Sequence, residues 1–291
     1  MLSQLKTQPK RLHRVVTLIE GDVPSVDYHT SGDDEFYTIH HPQAVTEWIG
    51  SLIKSTPTVS ATTVIVVHQD FKSTIRHLQT IYKFASSRDA GEVNLPLSCK
   101  LYLIINQRLL EPDVLSPQSV GTQQFLRLMA MEHGASVVVV DDVERWVVAR
   151  TDQLLATLSK VTEAKPILEI AGDSWEVDVT AKASDDTGIP AYISLYIPAA
   201  WDTINRVLLP AKSVIFSNDD QYLVTSETQC SQFATNYKAL FKDEADTAAL
   251  ATVLTEIGYP PSTDKKTTAP PEIMTLEQIY KELGASNDIT D

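Results

Sequence analysis

The chain has 291 residues and a mass of 32.2 kDa, enough for one main domain with an appended piece. Hydrophobic residues make up 43% of it, and no apolar run approaches the roughly 18 residues of a membrane span. Its formal net charge of -14 disfavours nucleic acid as a partner, because phosphate binding needs clustered lysine and arginine. Two cysteines and an N-terminus without an apolar core exclude a disulfide framework and a signal peptide, so we expect a cytoplasmic protein.

Short β-branched runs alternate with amphipathic stretches of helical length over residues 14–165. This alternation predicts an α/β domain with a mainly parallel sheet and helices on both of its faces. Strands are predicted at residues 14–20, 62–67, 99–105 and 137–140, with a weaker run at 36–40 that we place at an edge of the sheet. Helices are predicted at residues 43–55, 73–86, 122–132 and 151–161.

The pattern changes at Pro166. Residues 166–227 contain short runs typical of strands, the last at 191–197, so we predict a β-rich appended region. Two helices are predicted in residues 228–259, before a linker rich in proline and threonine at 260–272. In the tail, residues 273–291, the spacing of four apolar side chains predicts a short amphipathic helix that packs either on its own domain or in the groove of a partner. These side chains are Leu276, Ile279, Tyr280 and Leu283.

The corners after the predicted strands lack the motifs that bind nucleotides. Neither a G-x-x-x-x-G-K-[ST] loop nor a G-x-G-x-x-G turn occurs in the chain. After the strand at 99–105, Asn106, Gln107 and Leu109 stand where a small GTPase carries its base-reading Asn-Lys-x-Asp. Leucine cannot accept hydrogen bonds from the N–H groups of guanine. With the phosphate-binding motifs also missing, we expect no bound nucleotide and no other cofactor. We interpret Asn106 as a turn residue, because asparagine is common directly after a strand.

Other groups of polar residues do not form a recognisable catalytic or metal site. Ser174 follows Gly-Asp as in one esterase family, but no histidine occurs after His133 to act as its base. His40 and His41 are neighbours close to two aspartates at 33–34, yet adjacent residues of an extended chain point to opposite sides. We therefore predict that the protein is not an enzyme and that its isolated histidines are hydrogen-bonded or exposed.

Four segments, in order and spacing, resemble the dynein light intermediate chains. They are LIEGD at 18–22, TTVIVVHQDF at 62–71, FLRLMAMEHGASVVVV at 125–140 and IPAAWD at 197–202. The last segment resembles the cytoplasmic dynein-1 form, Ile-Pro-Ala-Gly-Trp-Asp, more than the ciliary dynein-2 form, with Ala200 in the glycine position. The resemblance extends over roughly residues 14–201.

The resemblance implies a GTPase-like domain that binds the dynein heavy chain, and a tail whose short helix binds cargo adaptors in microtubule-based transport. On this basis the heavy chain is expected to contact Ile197, Pro198, Trp201 and Asp202, and adaptors to contact the tail helix. If residues 18–22 match the family's third strand, the first strand, phosphate loop and first helix would precede residue 14, so we expect a truncated or remodelled N-terminus. The tail is shorter than is usual in the family and lacks the expected pair of phenylalanines.

Three interpretations of function remain open from the sequence. The first is a non-catalytic dynein subunit that is associated with the cytoskeleton and inserts into no membrane. The second is another degenerate GTPase-like scaffold, for example in membrane trafficking, and the third is an enzyme or nucleotide switch with an unrecognised site. The tryptophan at 201 either anchors a loop to the domain or contacts a partner.

Overall fold

The computed structural model describes residues 12–54, 59–85, 95–110, 117–163, 192–213, 223–242 and 247–257. The strands are β1 (Leu12–Ile19), β2 (Ser25–Ser31), β3 (Asp34–His40), β4 (Val59–His68), β5 (Lys100–Asn106), β6 (Ser136–Val140) and β7 (Ile193–Ile197). The helices are α1 (Thr46–Ile53), α2 (Phe71–Ala85), α3 (Pro117–His133), α4 (Thr151–Glu163), α5 (Ile204–Leu208), α6 (Glu227–Ala239) and α7 (Thr247–Glu256). None of these helices is long and apolar enough to cross a membrane.

The seven strands form one sheet in the order β2-β3-β1-β4-β5-β6-β7. Strands β3, β1, β4, β5 and β6 are parallel to one another, and the two outer strands, β2 and β7, are antiparallel to their neighbours. The fold class predicted from the sequence, an α/β domain with a mainly parallel sheet, is therefore confirmed. The β-branched runs form the central strands because both faces of these strands are covered.

Alternate residues of the strands enter two separate cores. On one face, Val64 and Leu103 belong to a large core that α1, α2, α3, α5, α6 and α7 complete. On the other face, Ile65 and Ile104 pack with Leu154 and Leu158 of α4 in a smaller core. Helices thus lie on both faces, as the sequence predicts, because alternate side chains of a buried strand point to opposite sides of the sheet.

The strand at the predicted edge, β3, is an interior strand. It pairs with β1 on one side and with β2 on the other, in the register Val15↔Phe36 and Tyr28↔Tyr37. The sequence analysis missed β2 because its residues, SVDYHTS, are mostly polar and exposed. This composition is ordinary for an outer strand, which contacts the core on only one side.

The run at 191–197 belongs to the main sheet and not to a separate appended region. Its described part, β7, pairs with β6 through Val138↔Tyr196, and Tyr196 is buried in the smaller core. The predicted strands at 167–170 and 175–179 lie outside the described residues, as do the linker and the tail. Residues 192–213 and 223–257, where described, pack on the main domain, so the sequence-based boundary at residue 165 does not separate two cores.

A fully buried glutamine of α3 joins three parts of the chain. The Nε2 atom of Gln124 donates hydrogen bonds to the carbonyl oxygens of Val207, at 2.8 Å, and of Val224, at 2.9 Å. Its Oε1 atom accepts a hydrogen bond from the backbone nitrogen of Val224 at 3.0 Å. Helix α5 and the segment before α6 are therefore held against α3 by polar contacts inside the core.

Candidate functional site

The connection after β1 occupies the place where a doubly wound sheet usually binds its ligand. Strands β2 and β3 lie on one side of β1 and strands β4 to β7 on the other, so the strand order reverses at β1. Ligands bind beyond the carboxyl end of the strand at such a reversal, and a phosphate-binding loop follows that strand. Here residues 20–24, EGDVP, lead directly from β1 into β2.

This topology corrects the match of residues 18–22 to the third strand of the GTPase-like fold. The segment ends β1, the strand at the reversal, and the elements that follow it are the hairpin of β2 and β3. A phosphate loop and its helix would have to lie between β1 and β2, where the chain has a five-residue turn. The remodelling is therefore inside the described domain, after Ile19.

A carboxylate and two histidines meet at the end of β1. The Nδ1 atom of His41 lies 3.0 Å from Oε1 of Glu20, and Nε2 of His77 lies 3.1 Å from its Oε2. His41 directly follows β3 and has a left-handed backbone with φ of 57°. Its backbone N–H donates a hydrogen bond to the carbonyl oxygen of Ile19. His77 comes from α2 and is fully buried. We call Glu20, His41 and His77 the β1-end cluster.

Electrostatics keep the carboxyl group of this cluster ionised. Burial raises the pKa of Glu20, but the hydrogen bond and charge of His77, together with the basic groups around it, outweigh burial and lower the pKa below its usual value. The Oε2 atom of Glu20 accepts a hydrogen bond from Nε2 of His77. The Oε1 atom lies 3.0 Å from Nδ1 of His41, which itself donates to the carbonyl oxygen of Gly21 at 3.2 Å. These contacts join β1 to β3 and to α2. Among the described residues, no group of three or more His, Cys, Asp or Glu side chains is placed to hold a metal ion.

The sequence analysis assigns no metal site to the aspartates at 33–34 and the histidines at 40–41, and the structure gives Asp34 and His40 separate positions and partners. Asp34 begins β3 and His40 ends it, so they lie at opposite ends of the strand. Asp34 lies 3.7 Å from His13, and His40 lies 3.4 Å from Asp27. These contacts are separate surface pairs.

The corner after β4 stabilises a helix start. The carboxylate of Asp70 accepts hydrogen bonds from the backbone nitrogen and the hydroxyl of Ser73, both at 2.8 Å. His68 is buried, and its Nδ1 lies 2.9 Å from Oγ1 of Thr74, while burial lowers the pKa of His68 to about 4. A neutral histidine and a capping aspartate explain this corner as local structure.

The base-reading corner after β5 is also a structural turn. The side-chain oxygen of Asn106 accepts a hydrogen bond from the backbone nitrogen of Arg108 at 3.1 Å, at the start of the 3-10 turn Gln107–Leu109. Leu109 is 49% exposed, in the position where a small GTPase would have its guanine-reading aspartate. The side chain of leucine has no atom that accepts a hydrogen bond, so this position cannot read a base as an aspartate does.

The segment at 197–202 is a tight turn with two buried ends. Ile197 is the last residue of β7 and lies in the core. The carboxylate of Asp202 is 5% exposed and receives two hydrogen bonds from Arg127, from Nε at 2.9 Å and from Nη2 at 2.5 Å. Of the four residues predicted to contact the heavy chain, Ile197 and Asp202 are therefore used inside the domain, while Pro198 and Trp201 are partly exposed.

The middle of this turn displays a small surface around an aromatic ring. The nitrogen of Trp201 donates to the carbonyl oxygen of Pro198 at 3.2 Å, and Ala200 between them has a left-handed φ of 61°. The guanidinium of Arg206 lies 4.0 Å from the centre of the Trp201 ring. Ala199 and Ala200 are exposed. We call residues 198–201 with Arg206 the Trp201 surface.

Sequence reasoning missed the β1-end cluster because its members are far apart in the chain. The only available signal was the end of each strand, since parallel strands bring their carboxyl ends to one edge. The predicted adaptor-binding residues, Leu276, Ile279, Tyr280 and Leu283, lie outside the described residues.

No protein-family model matches the sequence, and no curated protein matches it. Among solved structures, the crystal structure of the dynein light intermediate chain's conserved domain is similar, with a TM-score of 0.44 and 11% sequence identity. The similarity covers 87% of this chain and 100% of that chain. A likeness of this size concerns the course of the backbone and carries no argument about function.

Proposed function

We propose that the protein is a non-catalytic subunit of cytoplasmic dynein, similar to a light intermediate chain, that binds the motor heavy chain through its folded domain. The observation that carries the proposal is the IPAAWD segment, the most specific part of the family resemblance. It forms a turn in which Ala199 and Ala200 are exposed, while Trp201 is half-buried and packs against the large core. Linking of cargo adaptors through the tail, and a location on the cytoskeleton, are parts of the same proposal.

The chemistry of the Trp201 surface supports a protein partner. Tryptophan and arginine are the residues most often found at the centres of protein interfaces, and here the two side chains lie against each other. The turn is fixed from inside by the ion pair of Asp202 with Arg127, so the surface is ordered before a partner binds. An ordered surface loses little conformational entropy on association.

The end of β1 supports a role without nucleotide. The phosphate loop is replaced by a five-residue turn, and Glu20 places a negative charge beside it. A carboxylate at this position repels phosphate, and its partners are two histidines of the protein's own chain. We accordingly propose that the domain serves as a scaffold and binds neither GTP nor ATP.

The test is affinity purification of the full-length tagged protein from its native cytoplasm, with mass spectrometry of what remains after a moderate-salt wash. Dynein heavy chain should be recovered. Trp201→Ala should reduce its recovery at least about tenfold, because loss of a central aromatic contact commonly costs about 2 kcal/mol or more. Ala199→Glu, which adds a charge to an exposed position of the same turn, should reduce recovery without removing core contacts.

The matched control is Val23→Ala, which shortens a side chain that is 69% exposed in the turn between β1 and β2. It should leave recovery unchanged. Recovery of coat or adaptor subunits in place of dynein would replace the proposal with the trafficking scaffold. Equal recovery by Ala199→Glu and the unmodified protein would remove the Trp201 surface from the interface.

A further inference from the structure

The two outer strands of the sheet differ in how open they are to pairing. Strand β7 has five residues, and its pairing with β6 is interrupted by a register shift. Strand β2 has seven residues and pairs with β3 in an unbroken register. It contains no proline, no lysine and no bulge, which are the devices that usually protect an edge strand from further pairing. No strand in the part of the chain that the structure describes pairs with the outer edge of β2, so this edge is available as a template.

The sequence of β2 is complementary to itself when two copies run antiparallel. Tyr28 is the middle residue of Ser25–Ser31, so pairing about Tyr28 uses the whole strand. In this register Asp27 of one copy lies opposite His29 of the other, and the two-fold symmetry repeats the pair. Centring the pairing on Asp27 or on His29 would instead put two aspartates or two histidines opposite each other and would lose the pairs of Asp27 with His29.

The side chains of these residues are available to a second copy. Asp27 is 62% exposed, and its carboxylate lies 3.4 Å from Nε2 of His40. His29 is exposed, and its ring is stacked on Phe36 of the neighbouring strand with 4.7 Å between ring centres. Both side chains therefore stand on one face of the sheet, held by β3, and can be reached from the open edge.

Tyr28 stands on the opposite face, where it would meet its own symmetry mate. Its ring centre lies 4.9 Å from that of Tyr37, which in turn contacts Trp48 of α1 at 5.7 Å. Pairing about Tyr28 would extend this row of aromatic rings across the two-fold axis. Aromatic pairs and opposite charges are the cross-strand contacts that stabilise antiparallel strands.

We propose that β2 is a homodimerisation edge, at which two copies of this chain pair antiparallel about Tyr28 and join their two sheets into one continuous sheet. The β2 edge contributes main-chain hydrogen bonds, and the pairs of Asp27 with His29 set the register. Because the contact consists mainly of one seven-residue strand edge, we expect weak association, with a dissociation constant of roughly 10–100 μM.

The first test is sedimentation equilibrium of the full chain at concentrations from about 5 to 300 μM, a range set by that constant. His29→Asp puts two aspartates opposite each other and should weaken dimerisation about tenfold. The matched control is Gln153→Asp, which adds the same charge at an exposed position of α4 and should have no effect. The double variant Asp27→His with His29→Asp exchanges the two charges, and it should restore affinity to within about threefold of the unmodified chain.

The second test locates the two-fold axis. In antiparallel strands, opposite Cα atoms are about 4.5–5.5 Å apart, within the range of a disulfide. Tyr28→Cys should therefore give a covalent dimer under mild oxidation, whereas Asp27→Cys should not, because its thiol would face a histidine. A monomeric chain at 300 μM, an unrestored double variant, or equal cross-linking of both cysteine variants would each overturn the proposal. Neither test depends on dynein, so its outcome is independent of the proposed function.

Discussion

Replacing Ala200 with glycine should stabilise the protein, although glycine usually weakens ordered structure. Ala200 has φ of 61°, and among the described residues it shares a positive φ with only one other non-glycine residue, His41. A left-handed conformation brings the Cβ atom of an L-residue close to its own carbonyl oxygen. Glycine has no Cβ and adopts this conformation freely, which also explains why the resembling family has glycine at this position of the turn.

The expected gain follows from two opposing effects. Relief of the left-handed strain stabilises the folded state by about 1–2 kcal/mol. Glycine also makes the unfolded chain more flexible, which destabilises the folded state by about 0.4–1 kcal/mol. The exposed side chain of Ala200 contributes little packing. The free energy of unfolding should therefore rise by about 0.5–1 kcal/mol, and the melting temperature by about 2 °C.

Urea unfolding followed by circular dichroism measures this change through the midpoint, provided the slope of the transition is unchanged. Ala199→Gly is the matched control, because Ala199 is an exposed neighbour without a positive φ. It has no strain to relieve and should lose about 0.4–1 kcal/mol. If both substitutions lower the midpoint equally, the left-handed strain assigned to Ala200 is wrong.

Two further predictions concern buried ionisable groups. Burial lowers the pKa values of His68 and His133 to about 4 in the folded protein. Below the usual pKa of about 6.5, each of these histidines binds a proton in the unfolded chain but remains neutral in the folded one. Their contribution to the free energy of unfolding is therefore complete above pH 6.5 and is lost as the pH falls towards 4, by about 3 kcal/mol for each histidine. Urea midpoints from pH 8 to pH 4 should fall over this window, and a flat profile between pH 6.5 and 4.5 would contradict it. Asp202→Asn should lower the free energy of unfolding by about 3–5 kcal/mol, because it leaves Arg127 buried without a counter-charge. A loss below 1 kcal/mol, measured by the same method, would show that water reaches the guanidinium.

The central strands were predictable because their side chains report burial directly. In β4 and β6, consecutive valines and isoleucines indicate strands covered on both faces, whatever surrounds them in sequence. In β2 the residues carry no such signal, since an outer strand with polar side chains resembles a loop. Strand β7 was recognised as a strand, but its membership of the main sheet depends on pairing with β6, and no local pattern encodes that pairing.

In the candidate sites too, local features were predictable from the sequence and contacts between distant residues were not. The turn role of Asn106 was predictable, since a short polar side chain after a strand accepts a hydrogen bond from the backbone two residues later. The contacts of Glu20 with His41 and His77 were not, because they require β1, β3 and α2 to be assembled first. The burial of Asp202 depends in the same way on Arg127, which is 75 positions earlier in the chain.

The contacts of Gln124 determine where the chain can be cut. A recombinant fragment ending after α4 would keep Gln124 but would lack the carbonyl groups of Val207 and Val224 that accept its hydrogen bonds. The amide would then be left in an apolar surface with no partner, and the helices that cover this face would be missing. Fragments meant for interaction mapping should accordingly extend at least through α6. Loss of binding by a shorter fragment would indicate misfolding and would not locate a contact site.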